Sequence, residues 1–178
     1  MTDRTAVRTG RFGLVTLLLG NPACPPFTPD AIVVAQDRWL LLDAATPVCD
    51  TQRGYRALVR AAGASGGETP GQVLVRRGVL PLRLWAVVHD LDATPGCRRE
   101  WVACALDGVL REVQRRRLGT LALPALGCGE GVICTREFLA LLAASIRNTA
   151  VVSRLRVWIP IADGALDEAR AALDALDF

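Results

Sequence analysis

Apolar runs with β-branched or aromatic members alternate along this chain with segments whose apolar residues recur every three or four positions. That alternation narrows the fold more than any other feature. The strand-like runs cover residues 12–19, 31–35, 72–75, 84–89, 120–124 and 155–161. Helical spacing covers 51–62, 100–117, 135–148 and 166–176. In the longest helical segment Val102, Leu106, Val109, Leu110 and Val113 share one face, and Asp107, Arg111, Gln114 and Arg115 share the other. In the last one Leu166, Ala169, Leu173 and Leu176 repeat the device, with Asp163 as the expected N-cap. Nearly continuous apolar strands linked by helices imply a mainly parallel or mixed sheet covered on both faces, because a parallel connection needs a crossover. The expected fold is therefore α/β, with three layers in the order α/β/α.

With 178 residues, of which 51% are hydrophobic and 22% charged, the chain has the material for one sizeable core. The expected organisation is a mobile stretch over residues 1–10 and a single domain over 11–178. No apolar run reaches the roughly eighteen residues of a membrane span, and the opening MTDRTAVRTGR lacks the apolar core of a secretory signal. The expectation is a cytoplasmic protein without a membrane partner. All 21 basic residues are arginine, so chemistry through a lysine amine is excluded. Six cysteines without a Cys-x-x-Cys pair, and a single histidine, His89, do not match the usual zinc spacings; no metal and no cofactor is expected. Most of the thiols are expected to be small buried hydrophobes.

The segment most suggestive of chemistry runs LALPALGCGEGVICTREF, a strand leading through glycines into a helix. Gly127, Cys128, Gly129, Glu130 and Gly131 let a ligand approach backbone amides, and the next helix points its positive end at the same place, an arrangement suited to phosphate. It lacks the Gly-Lys-Ser/Thr of a Walker loop, and it does not follow the first strand as a dinucleotide fingerprint would. Cys128, ahead of a helix amino end, is a candidate thiol of lowered pKa with His89 as its base; the alternative is a small residue tolerated in a tight loop. Glu130 is a candidate for activating water, against the alternative of a solvated loop carboxylate. Asp37, Asp43 and Asp50 share one region, where a cation beside ligand phosphates is the sharper reading and solvent-facing carboxylates the plainer one. The arginine clusters at 76–77, 98–99 and 115–117 are met by a nearly equal number of acids and few aromatics, so nucleic acid is not the expected partner. The tryptophans lie within or beside apolar runs and are expected in the core, with Trp39, which follows Asp37, as the one candidate to stack on a ligand.

The order and spacing of these pieces resemble the macrodomain family. The run from Gly78, Leu80 and Pro81 through Leu84, Val87 and Val88 to His89 is similar to that family's Thr-x-Gly-x-x-Leu-Pro stretch and Val-Ile-His strand. Asp30-Ala31-Ile32-Val33 resembles the strand before its Asn-Ala-Ala-Asn motif, and Arg60-Ala61-Ala62-Gly63 the end of its first helix. The likeness covers roughly residues 13–176. It implies a divergent member binding ADP-ribose or a related phosphorylated nucleoside, free or on an ADP-ribosylated protein, at the carboxyl ends of the strands. The alternatives it carries are an ADP-ribosyl hydrolase using Asp37 or Glu130, and a relic of the fold that serves as a protein interaction module. The implied ligand-binding residues are Asn21 and Pro22, then Ala35, Gln36 and Asp37, then the glycine loop, with Val132 and Ile133 walling a diphosphate. The departures are informative. Asn21 stands where the family has its adenine-reading aspartate, Pro22 has no N–H to donate, and Val34 and Asp37 replace two asparagines.

Overall fold

The computed structural model describes residues 8–40, 67–76, 80–129 and 132–176. In chain order these form β1 (Arg8–Phe12), β2 (Val15–Gly20), β3 (Ala31–Asp37), β4 (Val73–Arg76), β5 (Leu82–His89), α1 (Arg99–Arg116), β6 (Thr120–Ala122), α2 (Thr135–Thr149), β7 (Leu155–Pro160) and α3 (Leu166–Asp174). One seven-stranded sheet has the order β1-β2-β7-β6-β3-β5-β4. The pairs β2/β7, β7/β6, β6/β3 and β3/β5 are parallel, whereas β1 and β4 add antiparallel edges. The sheet is thus mixed, as the strand–helix alternation implied.

Period-two burial sets the layers. Leu17, Leu19, Ala31, Val33, Leu84, Ala86, Leu121, Val157 and Ile159 are buried toward the helices. Val102, Ala105, Leu106, Val109, Leu110 and Val113 of α1 and Phe138, Leu139, Leu142 and Ile146 of α2 close over them. Helices α1 and α2 pack side by side, and α2 in turn contacts α3, so the three share one layer. On the opposite face Leu18, Val87, Ala122 and Trp158 are buried as well. The helix expected over 51–62 lies outside the described residues.

Three expectations are corrected. Residues 8–10 belong to β1, where Arg8 pairs with Leu19 and Gly10 with Leu17; Gly13, at φ +57°, lies in the turn that joins β1 to β2 as a hairpin and divides the run 12–19 after Phe12. Asp163 does not cap α3: it opens a 3₁₀ turn through Ala165, and Ala165 holds the N-cap position. Among the described cysteines only Cys97 is fully buried, Cys128 is half-buried, and Cys24, Cys104 and Cys134 are exposed. The proline-rich loop and the start of α2 keep the first and last of these at the surface.

Candidate ligand site at the carboxyl edge of the sheet

Because β2, β7, β6, β3 and β5 run parallel, their last residues Gly20, Pro160, Ala122, Asp37 and His89 lie along one edge of the sheet. At the end of β2, Asn21 folds over itself: its Oδ1 accepts the Ala23 amide at 2.8 Å and its carbonyl accepts the Cys24 amide at 3.0 Å. This turn holds Pro22 out in solvent.

The end of β3 is pinned to the end of β5. Register shifts between Gln36 and Asp37, so that Asp37 pairs with His89. Gln36 and Asp37 are fully buried, and Ala35 is half-buried. Asp37 Oδ1 accepts the Trp39 amide at 2.7 Å, and the Arg38 amide donates to the His89 carbonyl at 2.9 Å. Two carboxylates after β5 then grip the next side chains. Arg38 Nη1 meets Asp90 Oδ2 at 3.1 Å, and Trp39 Nε1 donates to Asp92 Oδ2 at 3.2 Å. The Arg38 guanidinium lies over the Trp39 ring at 4.7 Å, and a Cβ on Gly67 would come within 2.7 Å of that ring. Trp39 is therefore a packed member of the clamp, with its indole already engaged.

After β6 the chain is tied to β7 by the Leu123 amide, which donates to the Trp158 carbonyl at 2.8 Å. It then turns at Gly127, whose φ of +77° suits glycine. A Cβ there would sit 3.1 Å from Cys97 Sγ and 3.1 Å from Ile133 Cδ1, so the glycine is also needed for close packing. Cys97 in turn bridges to His89, which brings this loop against the end of β5. Gly129 differs: among the described residues nothing lies within 4 Å of where its Cβ would be, and Gly129 is exposed. The 15-residue helix α2 starts directly beyond, at the N-cap Cys134, with no side-chain cap hydrogen bond on its first amides.

The structure brings Asp37, His89, Gly127 and Cys128 to one region, with Asn21 on the same edge. Glu130 and Gly131 lie outside the described residues, as do Asp43 and Asp50. Val132 is 39% exposed, whereas Ile133 is 1% exposed and belongs to the hydrophobic core. Asp37 is likewise buried and spends an oxygen on the Trp39 amide. The expected low-pKa thiol is reversed: burial, with the neighbouring Cys134 thiol adding to it, pushes Cys128 up to about 11. Arg38, Asp90 and Asp92 were not singled out by sequence. Their signal was the pair of acids two residues apart directly after a strand end, in HDLD, opposite the Arg-Trp that follows β3.

The architecture matches solved structures over most of its length. It is similar to the Oceanobacillus iheyensis macrodomain solved with ADP, at 19% identity and a TM-score of 0.69, covering 96% of each chain. The macrodomain of Thermus aquaticus DarG matches at 20% identity and a TM-score of 0.58, over 83% of this chain and 99% of that one. The Trypanosoma brucei macrodomain in complex with ADP-ribose matches at 16% identity and a TM-score of 0.58, over 88% and 68%. This chain has the macrodomain fold. No protein-family model and no curated protein matches the sequence. The macrodomain likeness is therefore one of architecture, reached with few shared residues.

Proposed function

We propose that this macrodomain-fold protein binds ADP-ribose or a related phosphorylated nucleoside at the carboxyl edge of its sheet, through the loop that leads from β6 into α2. The observation that carries this reading is the open Gly129 set before the uncapped amino end of α2, in a fold whose solved neighbours hold ADP and ADP-ribose. Free backbone amides and the helix dipole together favour a phosphate group. In this reading Gly127 shapes the loop, Cys128 fixes it through its amide, which donates to the Ala125 carbonyl at 3.3 Å, Gly129, Glu130 and Gly131 offer backbone, and Val132 covers one side. Asn21 and Pro22 flank the end of β2, where the base of the ligand is placed, while Ala35 lines the end of β3. Buried Asp37 acts as the brace of the Arg38–Trp39 turn. An ADP-ribosylated protein presents the same chemical group.

Isothermal titration with ADP-ribose, ADP and adenosine tests this. The expected result is binding of the two phosphorylated compounds, loss of that binding in Gly129→Glu, and no change in Arg115→Ala, whose guanidinium is already paired with Glu112 at 2.7 Å. Absence of binding by both phosphorylated compounds to the folded protein overturns the proposal. A bound ligand at a hundredfold excess over its Kd also stabilises the fold by about 2.7 kcal/mol, which thermal melting reads independently.

A further inference from the structure

At the edge of the sheet opposite the glycine loop, the turn between β1 and β2 meets the carboxyl end of α2, which packs along β1. Between this turn and Val151, which follows the end of α2, lies a pocket of about 320 Å³. Its apolar lining is Phe12, Leu14, Ile146 and Val151. Ile146 is buried, Phe12 and Val151 are half-buried, and Leu14 is 46% exposed. The charged side chains of the lining are Arg11, from the edge strand, and Arg147, from the last turn of α2. Both are exposed, and among the described residues neither guanidinium has an ion pair or a hydrogen bond. No described carboxylate lines the pocket. A helix presents about half a negative charge at its carboxyl end, so two arginines leave this pocket with a net positive field. One of the end carbonyls of α2, that of Thr149, is already taken by the Gln114 side-chain amide at 3.1 Å.

We propose that this pocket binds a small amphiphilic carboxylate, a free acid whose aliphatic chain or single ring lies against Leu14 and its apolar neighbours while Arg11 and Arg147 hold its charge. An apolar cleft of a few hundred cubic ångströms with a few placed polar groups has the form of a small-molecule site. A protein partner would instead cover roughly twenty residues a side, far more than line this pocket. The planar fork of a guanidinium matches the two oxygens of a carboxylate, and an anion there meets two cations that no other group neutralises. β2 runs from this turn to the nucleotide edge over six residues at about 3.3 Å each, so the two sites are roughly 20 Å apart. The proposal is therefore independent of the nucleotide reading.

The test is isothermal titration of the full chain with octanoate, compared with octanol, acetate and octylammonium. Octanoate should bind at least tenfold more tightly than the other three, which lack the charge, the apolar tail or the right sign. Arg11→Ala and Arg147→Ala should each weaken octanoate binding about tenfold, the loss of one charge-assisted hydrogen bond. Arg115→Ala, on α1, should leave it unchanged. Leu14→Asp sets a carboxylate beside the two arginines and should abolish binding, with circular dichroism confirming that this variant is folded. Saturating ADP-ribose should not alter octanoate affinity. Absence of octanoate binding to the folded protein, binding no tighter than that of octanol, or binding unchanged in both arginine variants overturns the proposal. Displacement of octanoate by ADP-ribose overturns it as well. A protein that binds octanoate in this pattern but not ADP-ribose upholds this pocket while the nucleotide reading falls.

Discussion

The Arg38 guanidinium and the Asp90 carboxylate meet at 3.1 Å and join the ends of two parallel strands, β3 and β5. Asp90 also fixes its own loop, because its Oδ1 accepts the Asp92 amide at 3.1 Å. One carboxylate thus orders both the residue that follows β3 and the residue that holds Trp39.

Asp90→Ala should destabilise the fold by about 1–2 kcal/mol, the range for a charge-assisted hydrogen bond with one partner largely sheltered from water. Urea unfolding measures the change. In a double-mutant cycle with Arg38→Ala the coupling should be about 1 kcal/mol; additive losses would mean that the pair stabilises nothing.

The two glycines of the loop should respond differently to the same substitution. Gly127→Ala combines a φ of +77° with Cβ contacts at 3.1 Å, and should cost about 1–3 kcal/mol. Gly129→Ala meets no neighbour among the described residues and should change the thermal midpoint little. Equal midpoints for the two variants would contradict the inward packing of Gly127.

Alkylation should follow exposure and thiolate content. With iodoacetamide at neutral pH, Cys24, Cys104 and Cys134 should react before Cys128, and Cys97 last. Since Cys128 is held up near 11, its rate should rise about tenfold per pH unit well beyond pH 9, as long as the fold persists. Rapid labelling of Cys128 at pH 7 would overturn this order.

Asp30 accepts the amides of Gly119 and Thr120, each at 2.9 Å, and so ties the start of β3 to the start of β6. Burial alone would raise its pKa, but the hydrogen bonds from the Thr120 hydroxyl and the two amides prevail and lower it. A carboxylate lowered on folding stabilises the protein above its unfolded pKa of about 4, and that contribution fades as pH falls through the lower folded value. Asp30→Asn should therefore cost under about 1 kcal/mol at pH 7, because water reaches this group, and the difference from the unsubstituted chain should shrink in acid.

The architecture was legible because strands buried on both faces and helices buried on one leave different periods in sequence, as in 84–89 and in the Val102–Leu106–Val109–Val113 face. β1 was hidden because Arg8 and Arg11 flank a glycine, and an edge strand needs no apolar alternation when only one neighbour pairs with it. The glycine loop was legible from its composition. Its inner wall was not: whether Gly127 or Gly129 faces inward depends on Cys97, which is distant in sequence, and the same contact sends Ile133 into the core. Asp37 was legible as an unusual carboxylate, but its burial follows from the register shift against His89, which no local pattern encodes.

The hydrogen-bonded partners of β2 come from opposite ends of the chain. Arg8 precedes it on one flank, while Leu155, on the other, is added after every remaining strand has been made. On the ribosome the first hairpin must wait through most of translation before its parallel neighbour emerges, and closing so long a loop is an entropic toll that slows folding. Nascent chains of this protein halted before β7 will therefore expose the apolar flank of β2, a surface that chaperones would be drawn to cover.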